Sequence, residues 1–167
     1  SRSDTISFVV PYAAGGTADT LARHLAEIIR KQSGNVLVIE NQGGAGGAIG
    51  AAAVANARPD AKTVMLASTS ALTIGPNLRK VSYDPLRDFR PVLGAAVGPV
   101  AILASRNAPF ADFKGMLDYA KAHPQAVRYG TPGMGSVAHL AMEGLQLRAG
   151  VSLTHVPYRG ESPAIQD

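Results

Sequence analysis

Residues 6–17 read Ile6-Ser7-Phe8-Val9-Val10-Pro11-Tyr12-Ala13-Ala14-Gly15-Gly16-Thr17, and this stretch decides the fold. The apolar run over 6–10 predicts a short buried strand. Pro11 to Gly16 predict a loop, because Pro cannot continue a ladder and paired glycines free the backbone. Thr17 is a candidate helix N-cap, and Leu21, Leu25, Ile28 and Ile29 fall on one face of the helix that follows. Gly34 ends it. The same order then recurs. A strand over 36–40 leads through a loop at 41–44 to a small-residue helix over 45–57, and a third strand over 64–67 runs into Ser68-Thr69-Ser70. Strand, loop, helix, strand at this spacing predicts βαβ units, a mostly parallel sheet and right-handed crossovers.

The middle of the chain is less regular. Pro76 and Pro85 interrupt residues 72–89, and Tyr83-Asp84-Pro85 predicts a turn into one short helix. Two strand-like runs, 91–97 and 100–105, flank Gly98-Pro99, the candidate crossover between residues 1–98 and residues 99–167. The βα rhythm then restarts. Asp112 caps a helix with Phe113, Met116, Leu117 and Ala120 as its apolar face, ending by His123-Pro124. A strand over 127–129, a loop over 130–135, a helix capped by Ser136 and running to Ala149, and a strand over 153–156 follow. Ser162-Pro163 has the form of an N-cap with Pro at the first helical position. The sequence stops at Asp167, about one turn into that helix. It is therefore expected to be part of a longer chain.

Composition narrows the function. A chain of 167 residues with 46% hydrophobic and 17% charged residues is that of a folded globular protein, one domain or parts of two. The absence of Cys removes disulfide scaffolds, thiolate metal sites and cysteine nucleophiles. The net charge of +4 comes from scattered cations, with aromatics at only 5%, which argues against nucleic acid as a partner. A mild positive field still favours small anions. No apolar run approaches the roughly 20 residues that span a bilayer. Ser1-Arg2-Ser3-Asp4-Thr5 contains no signal-peptide core, so the chain is either cytosolic or stripped of its signal.

Three loops share one design: a strand, then a cluster of Gly, Ser or Thr, then a helix. They are residues 12–17, 68–70 and 131–136. In an open parallel sheet, ligands bind beyond the carboxyl ends of the strands, where helix N-termini offer unpaired N–H groups. Close backbone approach at Gly and added hydroxyl donors suit a small anion. The competing reading is that each loop only turns the chain and caps a helix. The run Gly43-Gly44-Ala45-Gly46-Gly47-Ala48-Ile49-Gly50 fails the dinucleotide spacing, because Ile49 stands where the third Gly belongs; it reads as close packing of a helix start. His139 and Glu143 share a helix face at i, i+4, but two groups do not make a metal site. Ser136 lacks the G-x-S-x-G context, and no acid–base or nucleophile constellation is present. A binding module is favoured over an α/β enzyme domain acting on a small anionic substrate, and over the effector-sensing domain of a transcription regulator. No cofactor is implied.

Several of these stretches carry a resemblance. Val10-Pro11-Tyr12-Ala13-Ala14-Gly15-Gly16-Thr17-Ala18-Asp19, Glu40-Asn41 with Gly44-Ala45-Gly46-Gly47, Tyr83-Asp84 with Asp88-Phe89, Tyr129-Gly130-Thr131-Pro132-Gly133-Met134-Gly135-Ser136 with His139, and His155-Val156-Pro157-Tyr158-Arg159-Gly160 appear in order. They resemble the Bug-type extracytoplasmic solute-binding proteins of tripartite tricarboxylate transporters. The resemblance implies an α/β periplasmic binding protein fold of type II-like, Venus-flytrap form. Residues 1–98 would belong to the N-terminal portion of lobe 1 and residues 99–167 to the N-terminal portion of an incomplete lobe 2. It implies a small organic carboxylate held between the lobes and delivered to membrane transporter subunits, and a periplasmic location with the signal peptide removed. By position it points to Tyr12, Ala14, Gly15, Gly16, Thr17, Asp19, Ser68 and Ser70 from the first lobe, and to Thr131, Gly133, Gly135, Ser136 and His139 from the second. Gln42-Gly43 departs from the basic residue and Pro common there. A fragment with unpaired sheet edges is further expected to self-associate or domain-swap.

Overall fold

The computed structural model describes residues 5–167. Strand β1 (Thr5–Val10) lies at the centre of a three-stranded parallel sheet, between β2 (Val36–Asn41) and β3 (Thr63–Met65). Helix α1 (Thr17–Ser33) connects β1 to β2, and α2 (Ala48–Ala55) connects β2 to β3. Alternation along β1 sends Phe8 and Val10 to one face, where they bury Ala22 of α1 with Leu25, Leu37, Ile39 and Val64 packed around them. A second cluster forms around Ala51, Ala71 and Tyr83, with Met65 and Phe89 against it. Tyr83 and Phe89 meet edge to face at 5.6 Å, and the Tyr83 hydroxyl donates to the carbonyl of Ala71.

The second half repeats the plan on a smaller scale. Helix α4 (Phe113–Ala122) precedes β4 (Arg128–Thr131), α5 (Val137–Ala149) follows it, and β5 (Thr154–Pro157) pairs with β4 in parallel. Its core gathers Ala120, Met142, Val151 and Leu153, with Leu117, Val127, Tyr129 and Leu145 packed against them. The last helix, α6, covers Glu161–Gln166.

Several sequence expectations shift. Gly16, not Thr17, is the N-cap of α1, and it has no side chain to cap with. Ile28 is half exposed, since Ala18 and Ala22 bring α1 closer to the sheet on the other side of the stripe. The helix expected over 45–57 splits into a 3-10 turn, Ala45–Gly47, and α2, because Gly46 and Gly47 adopt positive φ. A π-helical turn, Ser70–Ile74, runs into α3 (Gly75–Leu78), where Pro76 is tolerated in the first turn. No helix follows Tyr83-Asp84-Pro85; the Asp84 carboxylate accepts the Leu86 N–H at 2.9 Å and closes a turn instead. Residues 91–97 and 100–105 form no strand. Their side chains find no sheet to join, and Val97 is fully exposed. Asp112 caps α4 as expected, yet Phe113 points half outward. Finally, α6 begins at Glu161 with Gly160 as its N-cap, two residues ahead of the expected Ser162 cap.

Candidate functional site

Parallel pairing places the carboxyl ends of β1, β2 and β3 on one edge, and those of β4 and β5 on another. The loops leaving these edges meet along one seam between the two halves. The first, residues 11–16, faces the loop after β5: the Ala13 N–H donates to the Arg159 carbonyl at 3.0 Å. The backbones there approach without side chains between them. A Cβ built on Gly43 would lie 2.5 Å from the Arg159 oxygen, and one on Gly160 would lie 2.8 Å from the Ala13 nitrogen. A little further on, the Ala45–Gly47 turn meets the loop after β4, where a Cβ on Gly133 would fall 2.7 Å from the Gly46 nitrogen. At the far end the Ser70 hydroxyl accepts the Val137 N–H at 3.0 Å, so the first half caps α5 of the second.

The residues picked out from sequence take distinct places on this seam. Tyr12 is a tie: its hydroxyl lies 2.7 Å from that of Ser68 and 3.5 Å from the Gly46 carbonyl. Ala14 and Gly15 form the exposed tip of the first loop, with Gly15 at φ +87. Asp19 is 4% exposed and turned inward. One of its oxygens accepts the Gly15 N–H and the Arg23 guanidinium, each at 2.9 Å, and the other accepts the Asn41 amide at 3.0 Å. Arg23 above all, with the Gly15 and Asn41 bonds, outweighs burial and lowers the Asp19 pKa to about 2. Asp19 thus holds the Gly15-Gly16 turn in shape. Thr17 offers its N–H at the start of α1, and the Glu161 carboxylate accepts it at 2.9 Å.

On the other side, Ser136 caps α5 by accepting the His139 N–H. The Thr131 hydroxyl donates to the Gly133 carbonyl at 3.1 Å and lies 2.7 Å from Nε2 of His155. His139 Nδ1 accepts the Gly135 N–H at 3.1 Å, which places that ring's proton on Nε2, 3.6 Å from Glu143. The two imidazoles stack at 4.0 Å and Tyr129 stacks on His155 at 5.0 Å. Burial, then the His139 ring, lowers the His155 pKa. Burial and Glu143 raise that of Tyr129, whose hydroxyl donates to Glu143. Among the described residues no group of three or more His, Cys, Asp or Glu is arranged to hold a metal.

Sequence reasoning missed four contributors: the Ala45–Gly47 turn, Arg79, His155 and Glu161. Arg79 donates from one terminal nitrogen to the carbonyls of Ala45 and of Met134, the latter at 3.1 Å, and so pins one half to the other. Its Nε is buried with no hydrogen-bond partner among the described residues. The rule that found the first three loops, ligands beyond strand carboxyl ends, extends equally to the loop after β5 and its Glu161. Nothing local marks Arg79. The seam is lined mainly by hydroxyls, amides and carbonyls, and the Thr131 hydroxyl beside His155 is engaged with the Gly133 carbonyl. That chemistry holds a small polar ligand rather than transforms it.

Comparison with known proteins agrees. Residues 21–167 match the tripartite tricarboxylate transporter family receptor. Curated relatives in Pseudomonas and Bordetella pertussis are 36% and 34% identical over 99% and 97% of the chain, which spans about half their length, 49% and 50%. Among solved structures, malate-bound MatC of Rhodopseudomonas palustris superposes with a TM-score of 0.90 at 34% identity, over 98% of this chain and 56% of its own. An R. palustris protein with adipate superposes at 0.86 with 30% identity, over 99% and 56%. The periplasmic binding protein BugD superposes at 0.80 with 32% identity, over 98% and 55%. The α/β architecture is that of periplasmic binding proteins, and the enzyme reading falls away with it. This chain belongs to the tripartite tricarboxylate transporter receptor family and is of the Bug type.

Proposed function

We propose that this chain supplies the carboxylate-binding seam of a periplasmic receptor that captures a small organic carboxylate and delivers it to the membrane subunits of a tripartite transporter. The observation that carries the reading is the convergence of strand-end loops, rich in N–H and O–H donors that they satisfy among themselves, from both halves onto one seam. Malate and adipate in two structural neighbours support aliphatic dicarboxylates as the ligand class. Residues 1–98 contribute to one lobe and 99–167 to the other. Because the loops touch backbone to backbone, a ligand enters only when they part, and its oxygens then take over donors that the loops now satisfy mutually.

Calorimetric titration with malate and adipate tests this. Saturable binding of at least one, lost in Gly15→Val, is the expected result. Absence of binding to any small mono- or dicarboxylate by the intact receptor would overturn it. The proposed receptor chain also self-associates, through the exposed apolar run at 92–103.

A further inference from the structure

The N–H of Thr17 is one of the unpaired donors with which α1 begins, and Gly16 has no side chain to satisfy it. Glu161, from the first turn of α6 and 144 residues away, reaches across the seam and takes it at 2.9 Å. The contact covers the turn. A Cβ built on Gly16 would lie 3.5 Å from both Cβ and Oε2 of Glu161, and one on Gly15 would lie 3.2 Å from the Ser162 hydroxyl. The carboxylate therefore sits on the Gly15-Gly16 turn itself. Beneath that turn lies a second carboxylate, Asp19, held ionised by Arg23.

We infer that Glu161 is a built-in competitor for the carboxylate seat at the start of α1, so that a ligand carboxylate gains the Thr17 N–H only by displacing it. This deepens the receptor reading and rests on it. The physical case is one of occupancy and charge. One N–H in this geometry serves one strong acceptor, and a helix start carries about half a positive charge. Asp19 and Glu161 already answer that charge. A third carboxylate brought to the same turn meets two like charges at short range. Glu161 thereby sets both affinity and selectivity: it penalises a ligand that presents a carboxylate to this turn, and it does so less for one that presents a hydroxyl or an amide oxygen there.

The test has one arm that needs no ligand and one that does. In proton–nitrogen correlation spectra at fixed pH, the Thr17 amide should shift between wild type and Glu161→Ala, which removes its carboxylate acceptor. A Thr17 amide indifferent to Glu161 overturns the inference. In the second arm, malate and adipate are titrated into wild type, Glu161→Gln and Glu161→Ala. Displacement predicts affinity for at least one of them rising about tenfold in the alanine variant, with the glutamine variant between. Equal or weaker binding in both variants overturns the inference and makes Glu161 a closing clasp. A Thr17 amide that responds to Glu161→Ala, with no binding of either acid to any of the three proteins, overturns the receptor reading, and the competitor role with it.

Discussion

Nε2 of His155 lies 2.7 Å from the Thr131 hydroxyl, and through that hydroxyl a strand of the second half fixes the loop at Gly133. If the Thr131 proton is given to the Gly133 carbonyl, the hydroxyl oxygen must accept from His155, which puts the His155 proton on Nε2. The neutral ring is the form the site uses, and burial together with the stacked His139 lowers its pKa. The folded state therefore binds this proton less readily than the unfolded chain. The stability that follows is fully present above the unfolded value near 6.5 and is lost as pH falls through the folded pKa. Melting temperature should decline from about pH 7 toward pH 5, and the decline should flatten in His155→Gln. An identical pH profile in the variant would exclude His155 as its source.

Asp19→Ala should be among the more costly single changes in the first half. It removes a nearly buried carboxylate from three partners, leaving the Gly15 N–H without its acceptor and the Asn41 amide with only the Tyr12 carbonyl. A loss of about 2–3 kcal/mol is expected from urea unfolding. The same group predicts acid behaviour. Its folded pKa of about 2 lies below the unfolded 3.8, so its contribution persists above the unfolded value and disappears between about pH 4 and pH 2. Asp19→Asn should remove that acid limb.

Gly15→Val should separate binding from folding. At φ +87 a branched side chain is strained, and its Cβ would press on the Ser162 hydroxyl at 3.2 Å. The position is exposed, so the stability cost should stay within roughly 1–3 kcal/mol. Carboxylate binding should be abolished. A folded variant with wild-type affinity for malate or adipate would remove this turn from the site.

Arg79→Met keeps most of the aliphatic stem and loses the two hydrogen bonds that join Ala45 to Met134. Hydrogen exchange should accelerate at the Ala45–Gly47 turn and at residues 133–136 together, while β1 and β2 stay protected. Exchange rising on only one side of the seam would show that Arg79 supports a loop instead of joining two.

Sedimentation should reveal concentration-dependent association. Val97 is fully exposed and Leu103 is 79% exposed, in a stretch that carries no secondary structure. The outer edges of β2 and β3 have no further strand among the described residues. Val97→Lys with Leu103→Lys should give a monomer. A monomer already in the wild type across the concentration range would refute the association.

The first half was legible in sequence because its signals are local. Phe8 and Val10 alternate within one strand, and Gly34 closes α1 at a φ of 77 wherever the helix goes next. Residues 91–105 were misread for the complementary reason. Their Val, Leu and Ile content reports fitness for a pleated surface, but a strand exists only where a neighbour supplies the ladder. Thr17 was misassigned by one residue because the capping acceptor comes from Glu161 and from Asp19 instead of from its own hydroxyl. Arg79 and Glu161 escaped altogether: they act on partners 34 to 144 residues distant, and no spacing rule encodes that. The site loops were found by their shared pattern, but their mutual contacts belong to the tertiary structure.

Where Gly43, Gly133 and Gly160 bring main chain against main chain, the spacing of the two halves is set by atoms common to every amino acid. Such a seam has a fixed gauge. At Gly133 and Gly160 even alanine would press on main chain across the seam, so these two positions have little room to drift as the protein diverges. Variation is channelled to side chains at the rim of the seam, among them Ala14 and Glu161. A lineage can then trade one cargo for another by altering those few groups while the closing geometry is inherited unchanged.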